Sequence, residues 1–320
     1  MTATGVRARP DLAPLRPVPA QEFLMGSADH EPEEAPPHRV RVGAFAIEDV
    51  PVTTAAFAAF VRDTGYVTVA ERPLDPADYP GAPAENLVPG SLVFTGTPGP
   101  VDLRHLSQWW AWVPGACWSR PLGPGSSTAG RERHPVVHVA VEDAEAYAAW
   151  AGRSLPTEAE WEAAARGGLP GLPYTWGPAP EAPGERLANY WHGDFPWRAD
   201  PGYGSTSPVG AFPANAYGLH DMAGNVWELT ADWYAPRHPD DAEHACCVPV
   251  DPRGPAPEDS LDPAQPQFPV PRRVVKGGSF LCADTYCRRY RPAARRPQAV
   301  DTGTSHVGFR CVVRLTLPLV

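Results

Sequence analysis

Proline and glycine limit how much regular secondary structure this chain can form. The 320 residues include 42 prolines and 29 glycines, which together make up more than a fifth of the sequence. Proline fixes φ and removes a backbone donor, and glycine favours turns, so both residues interrupt helices and strands. We therefore expect a loop-rich chain with less helix and strand than an average globular protein.

Length and charge exclude several classes of protein. At 320 residues and 43% hydrophobic composition the chain can form one large domain or two ordinary ones, and we expect one because no internal repeat is evident. The 37 acidic and 27 basic residues give a net charge of −10, which argues against binding to nucleic acid or to an anionic membrane surface. Because no run of 18 apolar residues is present, we expect no transmembrane span and a cytoplasmic location.

The first residues differ in character from the rest of the chain. Residues 1–18 contain Pro10, Pro14 and Pro17 and lack an apolar run of signal-peptide length. We therefore expect a disordered leader over residues 1–18 and a folded domain over residues 19–320.

Local patterns predict the main secondary-structure elements of that domain. Residues 23–27 and 38–47 alternate apolar and polar side chains, which predicts paired antiparallel strands. Amphipathic spacing and capping residues predict three short helices, over residues 53–65, 143–152 and 157–167.

Two conspicuous clusters are assigned to the scaffold rather than to a functional site. Trp109, Trp110 and Trp112 are large aromatic side chains, and we expect them to be buried in the core. Cys246 and Cys247 have no potential metal ligand at a suitable spacing, so we treat them as bystanders.

A second pair of cysteines lies in a stretch rich in arginine, from Arg273 to Arg295. Cys282 and Cys287 are five residues apart, which would place them about 16 Å from each other in an extended strand. A turn over residues 283–285 could bring the two sulfurs together. Two soft thiolates held close together can bind Cu(I) or Zn(II), and they can also oxidise to a disulfide.

The residues alone leave several interpretations of this pair open. Structural zinc takes four ligands, and no second pair of cysteines or histidines stands nearby. A plain disulfide, or two unrelated buried thiols, would be the ordinary interpretation of such a spacing. The cationic neighbours Arg288, Arg289 and Arg291 favour thiolates, because positive charge lowers the pKa of a thiol.

The surrounding pattern is more specific than the cysteine spacing. Residues 273–295 follow the pattern R-V-x-x-G-G-S-[YF]-x-C-x-x-x-Y-C-x-R-Y-R-x-A-A-R, and G-F-R-C follows at residues 308–311. This pattern resembles the catalytic segment of the formylglycine-generating enzymes, also called sulfatase-modifying factors. Residues 151–162 carry a further signature of that family. The resemblance implies one compact α+β catalytic domain over residues 19–320, poor in regular secondary structure and distantly like the C-type lectins.

The resemblance also implies an activity and its residues. Members of the family use Cu(I) and O2 to convert a cysteine of a client protein, within a sulfatase-type Cys-x-Pro-x-Arg motif, to Cα-formylglycine. By position Cys282 and Cys287 would bind the copper. The other implied catalytic residues are Ser279, Tyr286, Trp227 and Arg295. The implied client-binding residues are Arg291, Arg296, Asp301 and His306.

Two structural calcium ions are a further implication of the resemblance. Two loops, over residues 189–203 and 221–228, carry amide and carboxylate oxygens and glycines, which suit hard cations but also suit ordinary polar turns. The first implied ligand set is Asn189, Tyr190, Asp200 and Tyr203. The second implied ligand set is Asp221, Gly224, Val226 and Glu228.

The sequence departs from the family pattern near the cysteine pair. Ala283 stands where histidine is common, Arg296 and Gln298 replace serine and asparagine, and His306 replaces another asparagine. Arg296 adds a permanent cation to the groove that, by resemblance, binds the client peptide. We therefore expect the standard sulfatase peptide to be a poorer substrate than for typical relatives, and an acidic or neutral residue near the cysteine to be preferred.

Two alternative functions stay open at this stage. The chain could be a divergent copper oxidase of the same fold that acts on another thiol or peptide. It could also be a calcium-stabilised binding module without catalytic activity.

Overall fold

Short elements joined by long loops make up the protein. The computed structural model describes residues 12–77, 79, 83, 87–182, 184–239 and 248–314. The helices of these residues are α1 (Thr54–Thr64), α2 (Val141–Ala151) and α3 (Glu158–Arg166). The strands are β1 (Leu15–Val18), β2 (Gln21–Met25), β3 (His38–Val42), β4 (Phe45–Glu48), β5 (Gly90–Phe94), β6 (Trp110–Pro114), β7 (Gly193–Asp194), β8 (Arg198–Ala199), β9 (Trp227–Trp233), β10 (Arg272–Lys276), β11 (Arg295–Ala299), β12 (Val307–Gly308) and β13 (Val312–Arg314).

The strands form small sheets rather than one large one. The largest described sheet has the order β11-β10-β9-β12, with β10 antiparallel to both neighbours and β12 parallel to β9. A three-stranded sheet, β1-β4-β13, joins the two ends of the described chain. The pairs β2-β3, β5-β6 and β7-β8 complete the described sheets. This α+β arrangement of few helices and short strands is the predicted fold class.

The predicted helices are confirmed, and their ends are set by the expected residues. The Thr53 side chain accepts a hydrogen bond from the Ala56 amide at 3.2 Å, and Gly65 ends α1 in the left-handed conformation with φ of 69°. Thr157 and Glu160 bond each other's backbone amides at the start of α3. Among the described residues, no helix combines the length and apolarity needed to span a membrane.

Two boundaries differ from the sequence prediction. Strands β2 and β3 pair as predicted, from Gln21 opposite Val42 to Met25 opposite His38. The predicted second strand is divided, however, because β4 leaves β3 and pairs with β1 and β13. The disordered leader was predicted to reach residue 18, which is wrong for Leu15–Val18, since these residues form β1. Residues 1–11 and the pair Cys246 and Cys247 lie outside the described residues.

Glu228 on β9 forms an ion pair that is completely buried. Arg310 donates from Nε and Nη2 to the two Glu228 carboxylate oxygens, each at 2.7 Å, and the Trp161 indole donates to the same carboxylate at 2.7 Å. Arg310 also donates to the carbonyl oxygens of Glu48 and His220. Because every partner is satisfied, the pair fixes α3, β9 and the C-terminal segment relative to one another.

A second buried charge cluster links α3 to β10 and β11. Lys276 donates to Glu162 at 2.9 Å and lies 3.6 Å from Glu158. Arg295 donates to both Glu158 carboxylate oxygens at 2.7 and 2.9 Å, and Arg166 pairs with Glu162 at 2.7 Å. These contacts hold both strands that flank the cysteine stretch.

We predict that Glu228→Ala lowers the free energy of unfolding by about 3–5 kcal/mol, because Arg310 would remain buried without its counter-ion. Denaturant unfolding of the variant and the wild type measures the change. Asp102→Ala is the matched control, since its partner Arg104 is 86% exposed and such a pair contributes little. Equal unfolding midpoints for the two variants would contradict this role of Glu228.

Candidate active site

The loop that connects β10 to β11, residues 277–294, carries both cysteines of the arginine-rich stretch. It begins with Gly277 and Gly278, whose φ angles are 92° and 72°. A Cβ atom on Gly277 would lie 2.9 Å from the Trp161 ring, and one on Gly278 would lie 2.6 Å from the Arg289 carbonyl oxygen. Glycine is therefore required at both positions by the left-handed backbone and by close packing.

A turn brings the two thiols together as predicted. The Cys282 amide donates to the Ser279 carbonyl at 3.0 Å, and the Cys287 amide donates to the Ala283 carbonyl at 2.8 Å. The two sulfur atoms lie 3.3 Å apart, and both cysteines are buried and free of disulfide bonds. The Cys282 carbonyl also accepts a hydrogen bond from the Trp191 amide at 2.8 Å, which fixes the first cysteine from the other side.

The pair favours one thiolate and one thiol. A hydrogen bond from Cys282 lowers the pKa of Cys287 to about 6, and the positive charges of Arg289 and Arg296 act in the same direction. Burial and the same hydrogen bond raise the pKa of Cys282 well above its usual range. The Cys287 sulfur is therefore the more acidic member of a close pair of soft ligands.

A cleft of about 300 Å³ opens onto the two sulfurs. It contains most of the residues that the sequence assigned to the site, which are Cys282, Cys287, Ser279, Tyr286, Trp227, Arg296 and His306. Tyr286 stacks on Phe195 with ring centroids 4.7 Å apart and meets the edge of Trp109 at 6.0 Å. The cleft thus has an aromatic wall beside the cysteine pair.

The polar residues of the cleft have distinct environments. Arg296 is partly exposed and has no hydrogen bond or ion pair with any other described residue. His306 bonds Thr304 through Nδ1 at 2.7 Å and packs on the Trp110 ring. Burial, together with the Arg296 charge, lowers the pKa of His306 to about 3, so this imidazole is neutral at physiological pH. Gln298 donates to the Thr302 carbonyl at 2.7 Å.

Three predicted site residues do not reach the cleft. Arg291 is 1% exposed and donates to both Glu34 carboxylate oxygens, so it cannot contact a client peptide as predicted. Arg295 is directed at Glu158 in the buried charge cluster and supports the fold rather than the reacting groups. Asp301 accepts hydrogen bonds from Tyr79 and Thr302 at a separate cleft.

The first predicted calcium site retains one suitable donor atom. The Asn189 side-chain nitrogen donates to Ser205 at 2.9 Å and to Ser207 at 3.1 Å, whereas its Oδ1 atom is buried and has no hydrogen-bond partner. An amide oxygen left without a donor is the kind of ligand that Ca²⁺ prefers. Asp200 lies 3.8 Å from Arg186 and is about half exposed, so its carboxylate is only loosely held.

The second predicted calcium site does not fit as proposed. Both Glu228 oxygens accept hydrogen bonds from Arg310, and one also accepts from Trp161, so this carboxylate is not available to a cation. Asp221 accepts from the Gly210 amide at 2.8 Å and from Asn225 at 3.3 Å. Within the described residues, no group of three or more His, Cys, Asp or Glu side chains is arranged to hold a metal ion.

Comparison with known proteins decides the family. The family model of the sulfatase-modifying factor enzyme 1-like domain matches residues 8–315. The chain belongs to the sulfatase-modifying factor family. It is 56% identical over 304 residues to the formylglycine-generating enzyme of Mycobacterium tuberculosis, covering 94% of this chain and 98% of that relative. It is 45% identical over 301 residues to the formylglycine-generating enzyme of Thermomonospora curvata, covering 92% and 91%.

A solved structure supports the fold of the family member. PvdO from Pseudomonas aeruginosa aligns with a TM-score of 0.59 and 26% identity, covering 96% of each chain. The single-domain α+β fold predicted from the resemblance is therefore confirmed.

Some residues of the cleft were not predicted from the sequence. Trp109 and Trp110 were assigned to the core, and both line the cleft, although Trp109 is only 2% exposed. Trp112, also expected in the core, is 39% exposed. Phe195 belongs to a loop that was considered only for calcium, yet it stacks on Tyr286. The strong clustering of aromatic residues was the available signal, but it did not distinguish a cleft wall from a core.

We predict that alkylation of the reduced, copper-free protein at Cys287 rises with pH through about pH 6, because only the thiolate reacts. In Cys282→Ala the apparent pKa should move up towards the ordinary cysteine range, since the largest stabilising contact is lost. Iodoacetamide labelling at a series of pH values, followed by peptide mass spectrometry, measures both curves. Cys117→Ala, which removes a buried cysteine outside the cleft, should leave the curve unchanged. Labelling of Cys287 that begins only above pH 8 in the wild type would contradict the prediction.

Proposed function

We propose that this protein oxidises a cysteine of a client polypeptide to Cα-formylglycine, with O2 as the oxidant. The observation that carries the proposal is the free thiol pair, with its sulfurs 3.3 Å apart at the end of an aromatic cleft. The family membership and the relatives named formylglycine-generating enzymes support the same reaction. A binding module would have no need of two close thiols of different acidity.

Cys282 and Cys287 are the residues that would hold copper. Two soft sulfur donors, of which one is already acidic, suit Cu(I) better than Mg²⁺ or Ca²⁺. Bound Cu(I) would supply the redox chemistry between the client thiol and O2. Because the protein offers only these two thiols in the cleft, the client thiolate itself can complete the set of sulfur ligands.

The overall reaction is balanced by an external reductant. Conversion of the client side chain to an aldehyde breaks a Cβ–H bond and the C–S bond, releases sulfide and removes two electrons. Reduction of O2 to water takes four electrons. The remaining two electrons must come from a thiol reductant in solution.

The cleft residues contribute binding and orientation. Tyr286 is 37% exposed at the edge of the cleft, and its ring is held by Phe195 and Trp109, so it can contact an incoming peptide without moving. Trp227 and the aromatic wall limit access of water to the sulfurs. Ser279 is fully buried, and its hydroxyl accepts from the Leu281 amide at 3.2 Å, which supports the turn before the first cysteine.

Calcium at the first loop is a separate part of the proposal. The buried Asn189 Oδ1 atom lacks a donor, and the carbonyls of Tyr190 and Tyr203 would be the neighbouring ligands. Such an ion would be structural, because Asn189 itself is 1% exposed and faces the loops rather than the cleft.

We predict that Cys282→Ser and Cys287→Ser each lower formylglycine formation at least about 100-fold, because each removes one of the two sulfur donors. The assay is mass spectrometry of a Cys-x-Pro-x-Arg peptide after incubation with copper-loaded protein, O2 and a thiol reductant. The wild type should bind one Cu(I) per chain and both variants should not. Cys117→Ser is the matched control and should keep activity. Full activity in either Cys282→Ser or Cys287→Ser would refute the proposed site.

We predict that calcium raises the melting temperature of the wild type and that a chelator reverses the rise, since an ion bound only to the folded state stabilises it by mass action, by about 2.7 kcal/mol at 100 times its Kd. Asn189→Ala should abolish the calcium-dependent difference. Asn215→Ala is the control, because this residue also makes buried amide contacts, with Ala164 and Ala165, but lies outside the loop. It should melt earlier and still respond to calcium. A wild-type melting curve indifferent to both calcium and chelator would count against the site.

A further inference from the structure

Arg296 is a cation in the cleft that lacks a counter-ion. Its neighbour Arg295 extends to the other face of β11 and pairs with Glu158, as alternate residues of a strand do. Arg296 therefore lies on the cleft side, where it lines the same small space as Cys282 and Cys287. Neither an ion pair nor a hydrogen bond joins its guanidinium to another residue of the described chain.

The surroundings of Arg296 leave its charge uncompensated. No aspartate or glutamate is found among the described residues that line this cleft. The nearest candidate by sequence, Asp301, contacts Tyr79 and Thr302 instead. His306 is neutral and accepts no proton under ordinary conditions. A partly buried guanidinium without a partner is unfavourable, and an anionic ligand in the cleft would relieve that cost.

The position of Arg296 limits which part of a client it can contact. Cys282, Cys287 and Arg296 share one cleft of about 300 Å³, so a group that meets Arg296 must lie close to the target cysteine. Extended chain advances about 3.3 Å per residue, which places the arginine of a Cys-x-Pro-x-Arg motif about 13 Å beyond the cysteine. That arginine lies too far along the peptide to face Arg296, whereas a residue next to the cysteine does not.

We propose that Arg296 is a specificity-determining residue that binds a carboxylate on the client, one or two positions from the target cysteine. The inference rests on the proposed function, because it requires the client cysteine to enter this cleft. It also refines the expectation from the sequence, since the selected charge lies beside the cysteine and not at the arginine of the motif.

The test uses peptides that keep Cys-x-Pro-x-Arg and carry Glu, Gln or Lys directly before or directly after the cysteine. One measurement is kcat/KM for formylglycine formation by the copper-loaded protein. A second is the Kd of the same peptides with serine in place of the target cysteine, which reports binding without chemistry. We expect the wild type to prefer Glu over Lys by on the order of tenfold or more at one of the two positions, in both measurements.

Three variants isolate the guanidinium. Arg296→Gln should bring the ratio between the Glu and Lys peptides close to one, and Arg296→Lys should keep most of it, because a cation remains. Arg104→Gln makes the same change of net charge at a residue whose side chain is 86% exposed, near Leu106 of the cleft, and should keep the wild-type ratio. Melting temperatures verify that all three variants fold.

The outcomes separate this inference from the proposed function. An unchanged Glu preference in Arg296→Gln, or no preference in the wild type, would overturn the role of Arg296 while formylglycine formation still supported the reaction. Conversely, an Arg296-dependent preference among the serine peptides, without formylglycine from any cysteine peptide, would support the carboxylate site and refute the proposed reaction.

Discussion

The buried ion pairs around α3 are the interaction on which the rest of the structure depends. In a chain with so little regular secondary structure, hydrogen bonds within helices and strands cannot by themselves fix the loops. Glu228 joins β9 to Arg310 and Trp161, and Lys276 joins β10 to the same helix through Glu162. Each charge is satisfied by neighbours from distant parts of the sequence, so the pairs specify one arrangement of the loops at a high cost for any error.

The cysteine loop depends directly on this arrangement. Its two ends continue β10 and β11, which Lys276 and Arg295 attach to α3. Between those fixed ends, two glycines permit the tight path past Trp161 and a turn places Cys282 and Cys287 side by side. The scaffold thus holds the reactive pair in position before any ligand binds, which reduces the reorganisation that ligand binding would require.

The sequence predicted what is decided locally. Helix ends follow from caps such as Thr53 and Gly65, and the turn that joins the thiols follows from a short segment. Pairing between distant segments was not predictable, and β1 was therefore assigned to a disordered leader although it pairs with β4.

The motif identified the candidate site but did not distinguish the roles of its residues. Arg295 and Glu228 belong to family patterns, which led to their assignment as catalytic and calcium-binding residues. Both are spent on buried ion pairs. Conversely, Trp109 was assigned to the core and lines the cleft. Whether a motif residue faces a cleft or supports it depends on three-dimensional packing, which spacing along the chain does not reveal. Copper, calcium and the cytoplasmic location stay predictions.

X-ray absorption spectroscopy of the reduced protein loaded with one equivalent of Cu(I) tests the central claim most directly, because it identifies the atoms bound to the metal. The account predicts coordination dominated by two sulfur atoms, and loss of that signal when Cys282 and Cys287 are both replaced by alanine. Coordination dominated by nitrogen or oxygen, or a sulfur signal that persists in the double variant, would contradict the claim that this thiol pair is the metal site.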